Sequence, residues 1–236
     1  MPIQRFIKAI LFILLILETQ AVVADDGFKM LFDGKTLDGW VQRGGKAKYS
    51  VEDGMVVGRT VPNTPNSFLC TERRFSNFIL EYEYKCDDQL NSGVQIRSDV
   101  FDKPMMVEIN GKKRTIAAGR VHGYQVEIDP NKPDRMWSGG VYDEGRRGWL
   151  FPGIAGGDAK AFTKKGQLVY KKGEWNKVRV QCRGPHIQTW LNGEPRADFK
   201  DDLTAEGLIA LQVHGVGGRK DSLVVRWRNI RIKVLD

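Results

Sequence analysis

Apolar and polar residues alternate along most of this chain with a period of two, the spacing of a β-strand with one buried face. The stretch Phe78 to Cys86 is the clearest case: Leu80, Tyr82, Tyr84 and Cys86 fall on one side, Glu81, Glu83 and Lys85 on the other. Lys177 to Arg183 repeats it with Val178, Val180 and Cys182 inward, and Pro185 to Leu191 runs back. Leu191-Asn192-Gly193-Glu194 is a strong hairpin signal, because Asn-Gly supplies the left-handed backbone a two-residue turn requires. Ser222 to Val234 reads as the last strand. Helical spacing is nearly absent, with one short helix expected near Leu37 to Trp40. Residues 101 to 120 and 143 to 172, rich in Gly and Lys, read as long loops or excursions. The pattern predicts an all-β chain forming an antiparallel β-sandwich or barrel. In such a sheet one face packs on the core and the other meets water, so function is sought on the wet face.

The N-terminus breaks the pattern. Arg5 and Lys8 precede an apolar run from Ala9 to Leu17, and Val22-Val23-Ala24 offers a small-residue cleavage site. Residues 1–24 are therefore expected to be an export signal, too short in its apolar part for a stable membrane span. A single domain over residues 25–236 is expected to follow, in a secreted or periplasmic protein. The net charge of +8 is scattered over short basic pairs and forms no dense stripe, which argues against a nucleic-acid partner. Three cysteines, Cys70, Cys86 and Cys182, lack zinc-site spacing; Cys86 and Cys182 sit on the apolar side of their strands and are expected to be buried thiols.

Three strands carry unusual residues on their polar side. In Asn91 to Arg97, Val94 and Ile96 point to the core, leaving Gln95 and Arg97 opposite. In Gly123 to Asp129, Tyr124, Val126 and Ile128 point in and Gln125, Glu127 and Asp129 point out. In Leu208 to His214, Gln212 and His214 share the polar side. If these strands are neighbours, one face gathers amides, an arginine, two carboxylates and a histidine. Amides beside an Arg and a carboxylate suit the paired hydroxyls of a sugar, since each group donates or accepts in a fixed plane. Tyr142, Trp137 and Trp149 are available as aromatic walls. Each residue also has an ordinary reading: Arg97 and Glu127 as a cross-strand ion pair, His214 as a turn histidine, Asn91 as a turn or bulge residue. His122 and His186 read as structural, and Trp40, Trp175 and Trp227 as packing.

A series of short motifs runs in order across nearly all of the chain after residue 25. It includes Leu31-Phe32-Asp33-Gly34-Lys35-Thr36-Leu37-Asp38-Gly39-Trp40, Glu52-Asp53-Gly54, Asn91-Ser92-Gly93, Gly123-Tyr124-Gln125-Val126-Glu127-Ile128 and Gly139-Gly140-Val141-Tyr142. Gly173-Glu174-Trp175-Asn176, Leu191-Asn192-Gly193, Leu211-Gln212-Val213-His214 and Arg228-Asn229-Ile230 follow. Together they resemble the 3-keto-disaccharide hydrolase domain family. The resemblance implies a jelly-roll sandwich similar to concanavalin-like lectins and glucanases. It also implies cleavage of glycosides whose sugar carries a ketone at C3, delivered by a partner oxidoreductase. The basic segment 143–172 departs from the compact form of the family.

A C3 ketone acidifies the C2 proton, so removing that proton lets the C1 substituent leave by elimination, and water then adds back. On this expectation His214 or Glu127 is the base and Arg97 stabilises the enolate. Gln95, Gln125 and Gln212 orient hydroxyls, with Asn91 and Asp129 as further polyol contacts, and Tyr142 protonates the leaving oxygen or stacks on the ring. No cofactor is expected. A divalent ion on Glu127 and His214 would be another way to polarise the ketone, although the pair offers only one histidine. Two other functions fit the same face: a carbohydrate-binding module without chemistry, and a surface domain binding an acidic polymer.

Overall fold

A computed structural model of the chain describes residues 26–109 and 111–236. The export signal expected over residues 1–24 lies outside the described residues. In chain order the strands are β1 (Lys29–Met30), β2 (Trp40–Gly44), β3 (Lys48–Glu52), β4 (Met55–Arg59), β5 (Ser67–Thr71), β6 (Phe78–Cys86), β7 (Ser92–Val100), β8 (Met105–Ile109) and β9 (Lys112–Ile116). They continue with β10 (Val121–Ile128), β11 (Val141–Glu144), β12 (Gly148–Phe151), the helix α1 (Ala159–Val169), β13 (Asn176–Arg183), β14 (His186–Leu191), β15 (Glu194–Lys200), β16 (Leu208–Val213) and β17 (Val224–Val234).

Two antiparallel sheets pack face to face. The first runs β15-β14-β13-β6-β17-β4-β3, with β1 on β17; the second runs β12-β11-β10-β7-β16-β5-β2. Alternation dictates the core between them. Leu80, Tyr82, Tyr84 and Cys86 of β6 face Val94, Ile96, Tyr124, Val126, Leu211 and Val213 of the second sheet, and all are buried. The three cysteines are buried free thiols. Asn192 and Gly193 both take positive φ in the β14–β15 turn, as the Asn-Gly signal requires.

The excursions are more ordered than their composition suggested. Met105–Ile109 and Lys112–Ile116 pair antiparallel, β8 against β9. The 143–172 segment, read from sequence as loop, contains β12 and α1. The helix is capped by Asp158, whose carboxylate accepts the Ala161 N–H at 2.7 Å. It buries little besides Phe162, so its sequence shows no apolar stripe. Conversely, the helix expected near Leu37 to Trp40 is a single hydrogen-bonded turn, Trp40 N–H to Leu37 O at 3.0 Å. Among the described residues no helix is long and apolar enough to cross a membrane.

α1 has a mechanical role. Trp137 Nε1 donates to Thr163 Oγ1 at 2.9 Å, and Gln167 donates to Pro133 O at 3.0 Å. Arg196 of β15, buried, donates to Ser138 O, Phe162 O and Met136 O. The helix packs so closely that a Cβ on Gly166 would lie 2.1 Å from Met136 O. The loop 131–138 is thereby pinned between a helix and a buried guanidinium.

Candidate functional site

The three strands singled out in the sequence are adjacent: β7 lies between β10 and β16. Their pairing lays side chains in rows across the outer face of the second sheet. One row runs Gln95, Gln125, Tyr142, Trp149 across β7, β10, β11 and β12. The next runs Gln212, Gly93, Glu127 across β16, β7 and β10. Gly93 matters because it has no side chain. A Cβ there would approach Gln125 Cγ and Cδ to 2.6 Å, so the bare backbone lets Gln125 lie over it.

A directed chain of hydrogen bonds ends on Glu127. Ser98 Oγ donates to Gln95 Oε1 (2.6 Å), Gln95 Nε2 to Gln125 Oε1 (2.6 Å), and Gln125 Nε2 to Glu127 Oε2 (2.8 Å). From the other side Asn91 Nδ2 donates to Glu127 Oε1 at 2.5 Å. Each donor in the chain polarises the next toward the carboxylate. Those bonds favour the anion, yet burial opposes it more strongly, and Asp129 adds like charge; the Glu127 carboxyl is pushed up to about 8. It is a carboxyl that gains and loses its proton near neutrality.

Asp129 is fully buried and takes both Arg135 Nε (2.8 Å) and Arg135 Nη2 (2.9 Å). The same guanidinium lies 5.0 Å over the Trp137 ring and 4.9 Å over Trp149. Asp129, Arg135 and Trp149, but not Trp137, line a cavity of ≈ 500 Å³ together with Asn91, Gln125, Glu127, Lys132, Tyr142 and His214. His214 Nδ1 lies 2.8 Å from Gly215 O, which can only accept, so Nδ1 carries a proton and Nε2 is the ring nitrogen left to serve the cavity. Burial also raises the Tyr142 phenol and the Glu144 carboxyl, which lines the same cavity.

Of the residues expected here, Glu127, Asn91, Gln125, Asp129, Tyr142 and His214 line one cavity. Gln95 stands behind Gln125 as its donor. Gln212 lies on the same face but is fully buried, and its amide has no partner among the described residues. Arg97 is the correction. It takes φ 45° in a bulge, with Ile96 and Arg97 together opposite Ile209. The extra residue turns its side chain between the sheets. There it donates to Ser76 O (2.7 Å), Gly184 O (2.7 Å) and Asn77 Oδ1 (3.2 Å), fully buried and away from the cavity. Ser98 takes the place on the outer face that regular alternation gave Arg97. An Arg97–Glu127 ion pair is likewise absent among the described residues. His122 packs against Phe101 and His186 pairs with Asp198, as their structural reading requires. The sequence reading missed Arg135, Lys132, Asn131, Asn66 and Glu144. Glu144 ends β11 but falls in the stretch read as loop, and the others sit on loops, where periodicity carries no information. Among the described residues no group of three or more His, Cys, Asp or Glu is placed to hold a metal.

Comparison with known proteins agrees with this architecture. A relative from Bacteroides thetaiotaomicron, named as a 3-keto-disaccharide hydrolase, is 27% identical over 92% of this chain and 81% of its own length. A Bacillus subtilis protein of unknown function with a galectin-like fold superposes with a TM-score of 0.59 at 12% identity, over 87% of this chain and 94% of its own. A carbohydrate-binding module of family 66 from Bacillus subtilis follows at 0.51 and 15%, over 82% and 94%. These structural likenesses establish the sandwich. The family model of the 3-keto-alpha-glucoside-1,2-lyase-like domain matches residues 27–233, and the chain belongs to that family.

Proposed function

We propose that this chain cleaves glycosides whose sugar carries a ketone at C3, with Glu127 as the base that removes the C2 proton. The observation that supports this is a carboxyl pushed up to about 8 in a cavity lined besides by amides, aromatic rings, cations and two further carboxyls, of which Asp129 is tied up by Arg135. A base of that strength is matched to proton transfer near neutrality.

In this reading Glu127 takes the proton from C2, and the electron pair moves into a C2–C3 double bond with the charge on the C3 oxygen. Collapse of that enolate restores the ketone, forms a C1–C2 double bond and expels the C1 oxygen. Water then adds at C1 and a proton returns to C2, so the net change is hydrolysis. No pair of carboxylates acting on an acetal is needed. The enolate oxygen would be met by the Tyr142 hydroxyl, which burial keeps protonated, and by the cations Lys132 and Arg135, which replace Arg97 in that role. His214 would give the leaving oxygen its proton from Nε2–H. Gln125 and Asn91 hold Glu127 and face hydroxyls of the ring. Export through residues 1–24 and an oxidoreductase that supplies the ketone belong to the same proposal.

The test is incubation of the purified protein with a 3-keto-disaccharide and with its unoxidised parent, following free sugar. Cleavage of the keto form alone is expected. Saturable binding of both with release from neither would replace the enzyme by a carbohydrate-binding domain.

A further inference from the structure

The cavity over Glu127 does not end at the reacting ring. It shares Asn66 and Glu144 with a second trough of ≈ 660 Å³, lined also by Thr64, Pro65, Ala118 and Arg120. Each hollow alone falls in the size range that takes a whole small ligand, roughly 300–1,000 Å³. The chemistry proposed for Glu127 needs only the first.

Two features say what the second would take. Its charged groups are Arg120 and Glu144, which pair with one another at 3.4 Å, so it presents no unbalanced charge. Asn66, at the junction, has its orientation fixed: Oδ1 accepts the Gly215 N–H at 2.9 Å. A backbone N–H can only donate, so the opposite end of the amide is the NH2 group, and it has no hydrogen-bond partner among the described residues. Asn66 lines both hollows, so this pair of donors stands where a ligand would cross from one to the other. Neutral walls with an amide donor at the junction suit a polyol, not an anion or an apolar tail.

Resting on the reading of Glu127 given above, we propose that the substrate is longer than a disaccharide. The keto sugar and its neighbour occupy the first cavity, and further neutral sugar units lie in the trough beyond Asn66. The chain therefore acts on 3-keto-oligosaccharides, with Asn66 as the residue that reads length.

The experiment compares a methyl 3-keto-glucoside, a 3-keto-disaccharide and a 3-keto-trisaccharide as substrates, and titrates the unoxidised trisaccharide and disaccharide by calorimetry. The expected kcat/KM rises at least tenfold from disaccharide to trisaccharide, and the trisaccharide binds correspondingly tighter. Ala118→Trp fills the trough from an exposed loop position whose side chain makes no hydrogen bond, and should erase that rise; Ala118→Ser should keep it. Equal kcat/KM and equal affinity for the two lengths would overturn the proposal. So would an Ala118→Trp variant, folded by circular dichroism, that keeps the rise. If no keto substrate is cleaved but affinity still grows with length and Ala118→Trp cancels it, the trough stands and the enzymatic reading falls.

Discussion

Glu81 and Glu127 occupy similar positions on opposite outer faces of the sandwich, and they behave in opposite ways. Both are strand residues with a tenth or less of their surface exposed, at 7% for Glu81 within β6 and 5% for Glu127 near the end of β10. Glu81, on the first sheet, accepts from Arg179 at 2.7 Å and from Arg231 at 2.7 and 3.0 Å. Burial works to raise it, but the two guanidinium groups outweigh burial and its carboxyl lies below its ordinary value. Glu127, on the second sheet, receives amides only, which carry no charge, and burial wins. The partner sets the role: a guanidinium turns a buried carboxylate into a fastener, whereas an amide leaves it free to exchange a proton. Across its own sheet Glu127 faces Gly93, where Glu81 faces Arg179 and Arg231.

The sharpest test is Glu127→Gln. It keeps the shape and the Gln125 contact, and should cut kcat on a 3-keto-disaccharide by about 10²- to 10⁴-fold with the thermal transition retained. A loss below tenfold would return the base to His214. Arg97 belongs to neither face, and Arg97→Met asks whether its charge serves the fold alone. Losing its bonds to Ser76, Asn77 and Gly184 should cost roughly 3 kcal/mol in urea unfolding, with KM unchanged. A stable variant without activity would reinstate it in the site. Asn91→Ala removes a bond that favours the Glu127 anion, so the carboxyl rises further. The rate, which requires the ionised form, should then climb at higher pH than in the parent, with a loss of about three- to tenfold at pH 7. A pH profile that stays in place would show that Asn91 does not govern Glu127. The smallest effect belongs to Glu81→Gln. Its partners are one-third exposed, so the stability change should stay within about 1 kcal/mol and kcat should not move.

The sheet core and the rows of the site were legible because a buried face imposes alternation on every strand that contributes to it. The same logic gathered Gln95, Gln125, Glu127 and Gln212 on one face. It failed at Arg97, where one extra residue in the strand reverses the alternation, and nothing in Gln-Ile-Arg-Ser announces a bulge. It was also silent on Asn66, Lys132 and Arg135, whose places are fixed by loop contacts distant in sequence. The clamp on the 131–138 loop by α1 and Arg196 is of that kind: a helix with a polar surface and one glycine-tight contact leaves little periodic trace. The family resemblance reached an expected chemistry that periodicity cannot, yet none of its motifs contains Asn66, Lys132, Arg135 or Arg196.

The proton on Glu127 also bears on how well the protein holds together at different pH. A carboxyl whose folded value lies near 8 favours the folded state fully below its ordinary value of 4.5, and that contribution fades as pH rises through about 8. Asp99 and Asp201, held low against burial by Arg74 and Arg147 respectively, act the other way: they stabilise above their ordinary value and fail as pH falls through the lowered one. The two trends meet in mildly acidic solution, where this chain should melt at its highest temperature. On the proposed mechanism the ionised base is populated on the alkaline side of that optimum, so turnover would call for a pH at which one buried charge strains the fold that holds it.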